Sequence, residues 1–256
     1  MLPEQDASHL NVESHELRIH SIESFGTHDG PGIRLVIFAQ GCQFRCLYCQ
    51  NPDTIDVKGG KFIELKEIIR RAKNMKSYFR GIGGVTISGG EPLLQRSRIL
   101  ELFKLLHEEG INTCLDTNGR VLDQHTKELL EETDTVMLDV KHFDNEWHKK
   151  LTGASNLTTL KLAEYREETG KTLWLRYVLV PGWSDQPEHI EALGQHFKDY
   201  KSIEKIELIP YHKLGVNKWE VMGWKYELEG VEPPTEAETQ QAADILRKYF
   251  KEVKVK

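Results

Sequence analysis

Three of the chain's four cysteines fall within residues 38–52, FAQGCQFRCLYCQNP, as Cys42, Cys46 and Cys49 in a C-x3-C-x2-C spacing. Three thiols this close, in a loop that continues through Gln50, Asn51 and Pro52, do not resemble core packing. Two metal chemistries suit them. A structural zinc ion needs four ligands and usually draws its cysteines as separate C-x2–4-C pairs, so a histidine such as His28, His142 or His212 would have to complete it. A [4Fe–4S] cluster has four iron corners, and three thiolates can hold three of them. The fourth iron is then open to a small chelating ligand. The remaining cysteine, Cys114, lies inside the apolar run INTCLD and is expected to be a small buried residue.

Such a loop needs a scaffold, and the chain supplies a repeating one. Strand-like runs at residues 17–26, 34–41, 84–90, 111–119, 135–142, 172–182 and 203–212 alternate with amphipathic helical patterns. Those helices are expected over residues 63–79, 99–110, 123–133, 156–170, 186–200 and 235–250. This alternation predicts βα units around a parallel sheet, either wound on both faces or curled into a full or partial barrel. Residues 212–234 fit no element and are too long for an ordinary connection, which marks a functional loop or cover. The polar motifs fall where strands end: Cys42 after the second strand, GGEP (residues 89–92) after the third, then DTNG (116–119), DVK (139–141) and PYH (210–212). In a parallel α/β sheet the carboxyl ends share one face, and that face carries the site.

Composition sets the outer limits. The chain has 256 residues, 39% of them hydrophobic, and a formal net charge of −6. That charge gives no general drive toward nucleic acid or an anionic membrane. No apolar run approaches the roughly 20 residues of a spanning helix, and the polar start lacks the signature of a secretory signal. A cytoplasmic protein is expected, in which clustered cysteines bind metal more often than they form disulfides. Residues 1–20 read as a loosely ordered arm and residues 21–256 as a single domain.

C-x3-C-x2-C, with the aromatic Tyr48 before its last cysteine and GGEP on a separate βα unit, resembles the radical S-adenosylmethionine (SAM) superfamily. The run GTHDGPGIR (residues 26–34) just before the cysteine loop is similar to the glycyl-radical-enzyme activases. The segments DTNG, VMLDVKH, RYVLVPGWSD, KIELIPYHKLG and MGWKYELEGVEPP resemble, in order, the activases of the pyruvate formate-lyase type. No further cysteine clusters are present, as in that type. The resemblance implies a partial (β/α)6 barrel, open along one side to admit a protein substrate, and a monomer.

It also implies roles. Cys42, Cys46 and Cys49 would hold the cluster, and SAM would chelate its open iron through amino and carboxylate groups. Tyr48 and Gln50 would lie against SAM, with Gly89, Gly90 and Glu91 at its methionyl amino group. Val140, Lys141 and His212 would line the rest of the SAM site. Asp116 and Asp139, helped by the carbonyls of Thr117 and Met137, would bind a monovalent cation, potassium or sodium. Asp29, Arg34 and Arg176 are assigned to the substrate-facing rim. Reductive cleavage of SAM would give a 5′-deoxyadenosyl radical that takes a hydrogen from a glycine of pyruvate formate-lyase, with flavodoxin or ferredoxin as electron donor.

Overall fold

A computed structural model of the chain describes residues 15–256. A hairpin comes first: β1 (Glu16–Gly26) runs antiparallel to β2 (Arg34–Ala39). After the cysteine loop, β3 (Lys61–Glu64) pairs back onto β1 and leads into α1 (Leu65–Phe79). There follow β4 (Gly84–Gly89), α2 (Arg96–Glu108), β5 (Asn112–Thr117), α3 (Gln124–Glu131) and β6 (Thr135–Asp139). Two helices, α4 (Asn145–Thr152) and α5 (Leu157–Thr169), precede β7 (Leu173–Leu179), α6 (Pro187–Phe197) and β8 (Ile203–Pro210). The chain then forms α7 (Val216–Val221), α8 (Glu236–Leu246) and β9 (Val253–Val255).

The strands form one sheet in the order β3-β1-β2-β4-β5-β6-β7-β8-β9. From β2 to β9 every pairing is parallel. The sheet does not close on itself, since β3 and β9 are its two edges. The fold is a partial (β/α)6 barrel built on β2 and β4–β8, with the β1–β3 ribbon added at one edge and β9 at the other.

Period-two alternation sorts each strand's side chains into two environments. Leu35, Ile37, Val85, Ile87, Leu115, Val136, Leu138, Leu175, Ile206 and Leu208 join the main core under the helices. In α1 the buried residues Leu65, Ile68, Ala72, Met75 and Phe79 recur at the three- and four-residue spacing of one helix face. Each fully buried Leu or Ile contributes roughly 1.5–3 kcal/mol. The intervening strand positions face the lumen. Cys114, Met137 and Trp174 pack together there, and Asp116, Arg176 and Val178 line the cavity beyond them.

Several boundaries differ from the sequence expectation. Residues 16–20, read as part of an arm, belong to β1, where Leu17 and Ile19 are buried. Residues 1–14 of that arm lie outside the described residues. The first helix starts at Leu65 rather than at residue 63, because Phe62 and Ile63 pair with Arg18 and Leu17 on β1. Helix α4 was not anticipated, although Asp144 caps it by accepting from the backbone N–H groups of Glu146 and Trp147. The segment read as irregular contains α7. Among the described residues, no helix is long and apolar enough to cross a membrane.

Candidate active site

The cysteine loop leaves β2 through Gly41, whose φ of +99° suits glycine. The Gly41 N–H donates to the Thr54 carbonyl at 2.7 Å, and the Cys42 N–H to that of Ile55 at 3.2 Å. On the far side, the Arg45 and Leu47 N–H groups donate to Thr152 and Leu151 at the end of α4, at 2.8 and 3.0 Å. From α7, the Trp219 indole N–H donates to the Cys49 carbonyl at 2.9 Å, and Lys218 Nζ donates to Asn51 Oδ1 at 2.9 Å. Gln50 closes the ring, donating to the His212 carbonyl (2.9 Å) and accepting from the Gly215 N–H (2.7 Å). The two helices that the sequence did not reveal are thus the ones that brace this loop.

Cys42, Cys46 and Cys49 all line one cavity of about 280 Å³. Burial pushes all three thiols up, Cys46 to about 12. Half-buried thiols raised in this way are converted to thiolates by a compensating positive centre, as in metal ligation. Among the described residues, no three His, Cys, Asp or Glu side chains gather tightly enough for a single metal ion. Three thiols from one short loop that line a shared cavity match the three protein ligands of a [4Fe–4S] cluster whose fourth iron is open. Two buried, unpartnered polar atoms, the Tyr48 hydroxyl and Asp116 Oδ1, also belong to cavity-lining residues. The residues present fit a [4Fe–4S] cluster with a polar ligand beside it.

The GGEP stretch packs against the cysteine loop at very close range. A Cβ on Gly90 would come 2.2 Å from the Gly41 carbonyl oxygen, so only glycine lets the two backbones meet. Gly89 and Gly90 line the cavity. Glu91 does not; the expectation that it meets the methionyl amino group is corrected for its side chain. That carboxylate is fully buried and accepts from Thr117 Oγ1 (2.6 Å), the Leu93 N–H (2.9 Å) and the Asn118 N–H (2.8 Å), bracing this turn against the end of β5.

Burial pushes the Glu91 carboxyl up from its ordinary 4.5 to about 7, against the downward pull of those donors. The unfolded chain therefore sheds this proton first as pH rises, and stability should fall between pH 4.5 and about 7. Glu91→Gln is expected to remove that part of the slope in urea unfolding. Above pH 7 it should cost about 1–3 kcal/mol, because the new amide must face the N–H of Leu93 or Asn118. An unchanged slope would show that Glu91 is ionised throughout.

Asp116 and Asp139 end adjacent strands, and both line the cavity. Asp116 Oδ2 accepts from Arg176 Nη1 and from Ser88 Oγ, each at 2.7 Å. Burial pushes its carboxyl up, but the Arg176 charge and these two hydrogen bonds bring it below the ordinary 3.8. Asp139 Oδ2 accepts from Lys141 Nζ at 2.8 Å. Burial works against the Lys141 ammonium, yet the Asp139 carboxylate holds its pKa well above the usual lysine value. Tyr48, Gln50, Thr117, His212 and Asp29 line the same cavity.

Two other assignments change. Arg34 is not on a substrate-facing rim; it is fully buried at the amino ends of β2 and β4, the opposite end of β2 from the loop of Cys42, Cys46 and Cys49. Its guanidinium donates to Val85 O (2.6 Å), Asn112 Oδ1 (2.7 Å) and Thr86 Oγ1 (2.9 Å), so it ties strand starts together. The side chain of Val140 also leaves the site, for the outer core; that of Met137, whose carbonyl alone was assigned, packs with Cys114 and Trp174 in the lumen. Only their backbones remain available to a ligand. Sequence reasoning missed Ser88, Asn118 and Glu207. The signal was there for Glu207: in IEKIELIP, Lys205 and Glu207 recur at period two among apolar residues, which aims both into the lumen.

The radical SAM superfamily model matches residues 36–193, the span from β2 into α6. Over 235 residues the chain is 47% identical to the pyruvate formate-lyase 1-activating enzyme of Escherichia coli K12, covering 91% of this chain and 96% of that one. It is 45% identical over 232 residues to the pyruvate formate-lyase-activating enzyme of Staphylococcus epidermidis, covering 88% and 92%. Among solved structures, a domain of the pyruvate-formate lyase-activating enzyme of Bacteroides vulgatus superposes with a TM-score of 0.58 at 23% identity, over 68% of this chain and 99% of that one. Streptococcus suis SuiB, bound to its precursor peptide SuiA, superposes with a TM-score of 0.67 at 21% identity, over 87% and 48%. Both structural likenesses concern the fold. The chain belongs to the radical SAM superfamily and, within it, to the pyruvate formate-lyase-activating enzymes.

Proposed function

We propose that the chain activates pyruvate formate-lyase by creating a glycyl radical in it. One observation carries this reading: three thiols, the Gly89–Gly90 backbone and the Asp116, Asp139, Lys141 and Arg176 side chains line one cavity in a barrel whose sheet is open. The superfamily's cofactors are a [4Fe–4S] cluster and SAM. When bound, they supply one-electron cleavage of SAM to a 5′-deoxyadenosyl radical that can take a glycine hydrogen.

The protein's own residues bind, orient and exclude water. Cys42, Cys46 and Cys49 hold the cluster, and the Gly89 and Gly90 backbone receives the methionyl amino group. Tyr48, Gln50, Lys141 and His212 form the walls against SAM. Asp116 and Asp139, with the Thr117 and Met137 carbonyls, hold a potassium or sodium ion; the buried, unpartnered Asp116 Oδ1 supports this. Asp29 and Arg176 face the substrate glycine loop. The enzyme acts as a cytoplasmic monomer and takes its electron from flavodoxin or ferredoxin.

The test is anaerobic reconstitution with iron and sulfide, then addition of SAM, a reductant and purified pyruvate formate-lyase. The expected results are 5′-deoxyadenosine and an EPR doublet on pyruvate formate-lyase. SAM cleavage without that doublet would point to a different glycyl radical enzyme. One zinc, with neither iron nor sulfide, would overturn the enzymatic reading.

A further inference from the structure

The sheet is open between its edge strands β3 and β9, and the loop of residues 27–33, which joins β1 to β2, turns into the lumen. That loop is pinned from β4 and β2: Thr86 Oγ1 donates to the Asp29 carbonyl at 2.6 Å, and Arg34 Nη1 donates to the Pro31 carbonyl at 3.3 Å. Its Gly30, at φ +130°, sits so deep that a Cβ would lie 3.0 Å from the Cys114 sulfur. The opposite edge holds it too. Lys256, just past β9, donates from Nζ to the His28 carbonyl at 2.5 Å. The same ammonium lies 2.7 Å from Glu207 Oε2 on β8.

Glu207 is 1% exposed and has cations on three sides. Lys205 Nζ is 3.2 Å from its Oε1, and Arg176 Nε is 3.8 Å from its Oε2. Arg176 in turn holds Asp116. Three carboxylates (Asp29, Asp116, Glu207) and three cations (Arg176, Lys205, Lys256) therefore share the lumen. A charge this buried is strongly destabilising once its partner goes, so the network over-determines where each member sits.

We propose that Lys256 is a positioning residue: by joining Glu207 on β8 to the His28 carbonyl it ties the β8–β9 end of the sheet to the loop between β1 and β2 and seats residues 27–33, thereby fixing Asp29 beside Arg176 where the substrate enters. This rests on the reading of Asp29 and Arg176 as substrate-facing. Lys256 does not line the cavity that holds the thiols and does not touch the cysteine loop. Its removal therefore acts on the protein substrate and leaves SAM cleavage alone.

The experiment uses the reconstituted full chain with Lys256→Met, which keeps the aliphatic stem, and Lys256→Arg, which keeps the charge. Wild type must first give the EPR doublet on pyruvate formate-lyase; failure there defeats the functional reading itself. With that signal in hand, Lys256→Met should raise KM for pyruvate formate-lyase about 10-fold and change kcat by no more than about twofold. Dithionite-driven SAM cleavage without protein substrate should match wild type, and Lys256→Arg should recover most of the loss. Amide exchange in residues 27–33 should speed up in Lys256→Met only. An unchanged KM would overturn the proposal. So would equal losses in SAM cleavage and radical formation together with a lower melting temperature, since those mark general destabilisation.

Discussion

Cys46→Ala is expected to leave no measurable SAM cleavage and to lower bound iron and sulfide after reconstitution. Cys46 is held by a braced loop, and burial is the main cause that pushes its thiol up to about 12. It lines one cavity with Cys42 and Cys49, and with two thiols left a second iron corner loses its protein bond. Cys42→Ala and Cys49→Ala should behave alike, because all three line the same cavity. The control is Cys114→Ala. Its sulfur packs with Met137 and Trp174 in the lumen, so its loss should cost about 1 kcal/mol in urea unfolding and leave SAM cleavage intact. Retained cleavage in Cys46→Ala would remove the cluster assignment.

Arg176→Met should be the most destabilising change at the site itself. The variant leaves Asp116 buried without its cation and strips Glu207 of a neighbour, which should cost about 3–5 kcal/mol in urea unfolding near neutral pH. Adding Asp116→Asn should return part of that loss, since the stranded charge is then gone. The pH dependence gives an independent check. With Arg176 present, the folded-state value of Asp116 lies below its ordinary 3.8. Asp116 thus contributes stability above about pH 3.8 that is lost as pH falls through its folded-state value. Without Arg176, burial dominates, the carboxyl rises above 3.8, and its contribution should instead decline as pH increases. Glycyl-radical formation should fall about 10²-fold, as misplacement at a positioning site does. Wild-type stability and slope in Arg176→Met would show that the pair carries no such weight.

The chemistry of the site was legible in the sequence because its ligands are local. Eight consecutive residues fix the thiol spacing, and GGEP, DTNG and DVK are short enough to be placed at strand ends by periodicity alone. Alternation also set the α/β class, since each strand and helix declares its buried face through its own side chains. What the sequence left open depends on contacts between distant segments. Whether a parallel sheet lies flat or curls follows from register and twist across strands, not from any one of them. Arg34 sits in an activase-like motif, yet its height in β2 sends it to the amino ends of the strands, the opposite end from the cysteine loop. Glu91 belongs to a SAM-type motif, yet the approach of β5 turns it into a brace. The pairing of Asp116 with Arg176 and of Lys256 with Glu207 and His28 joins residues 60, 49 and 228 positions apart. Local patterning decided which residues could do chemistry, and only the curvature of the open sheet decided which of them face one another.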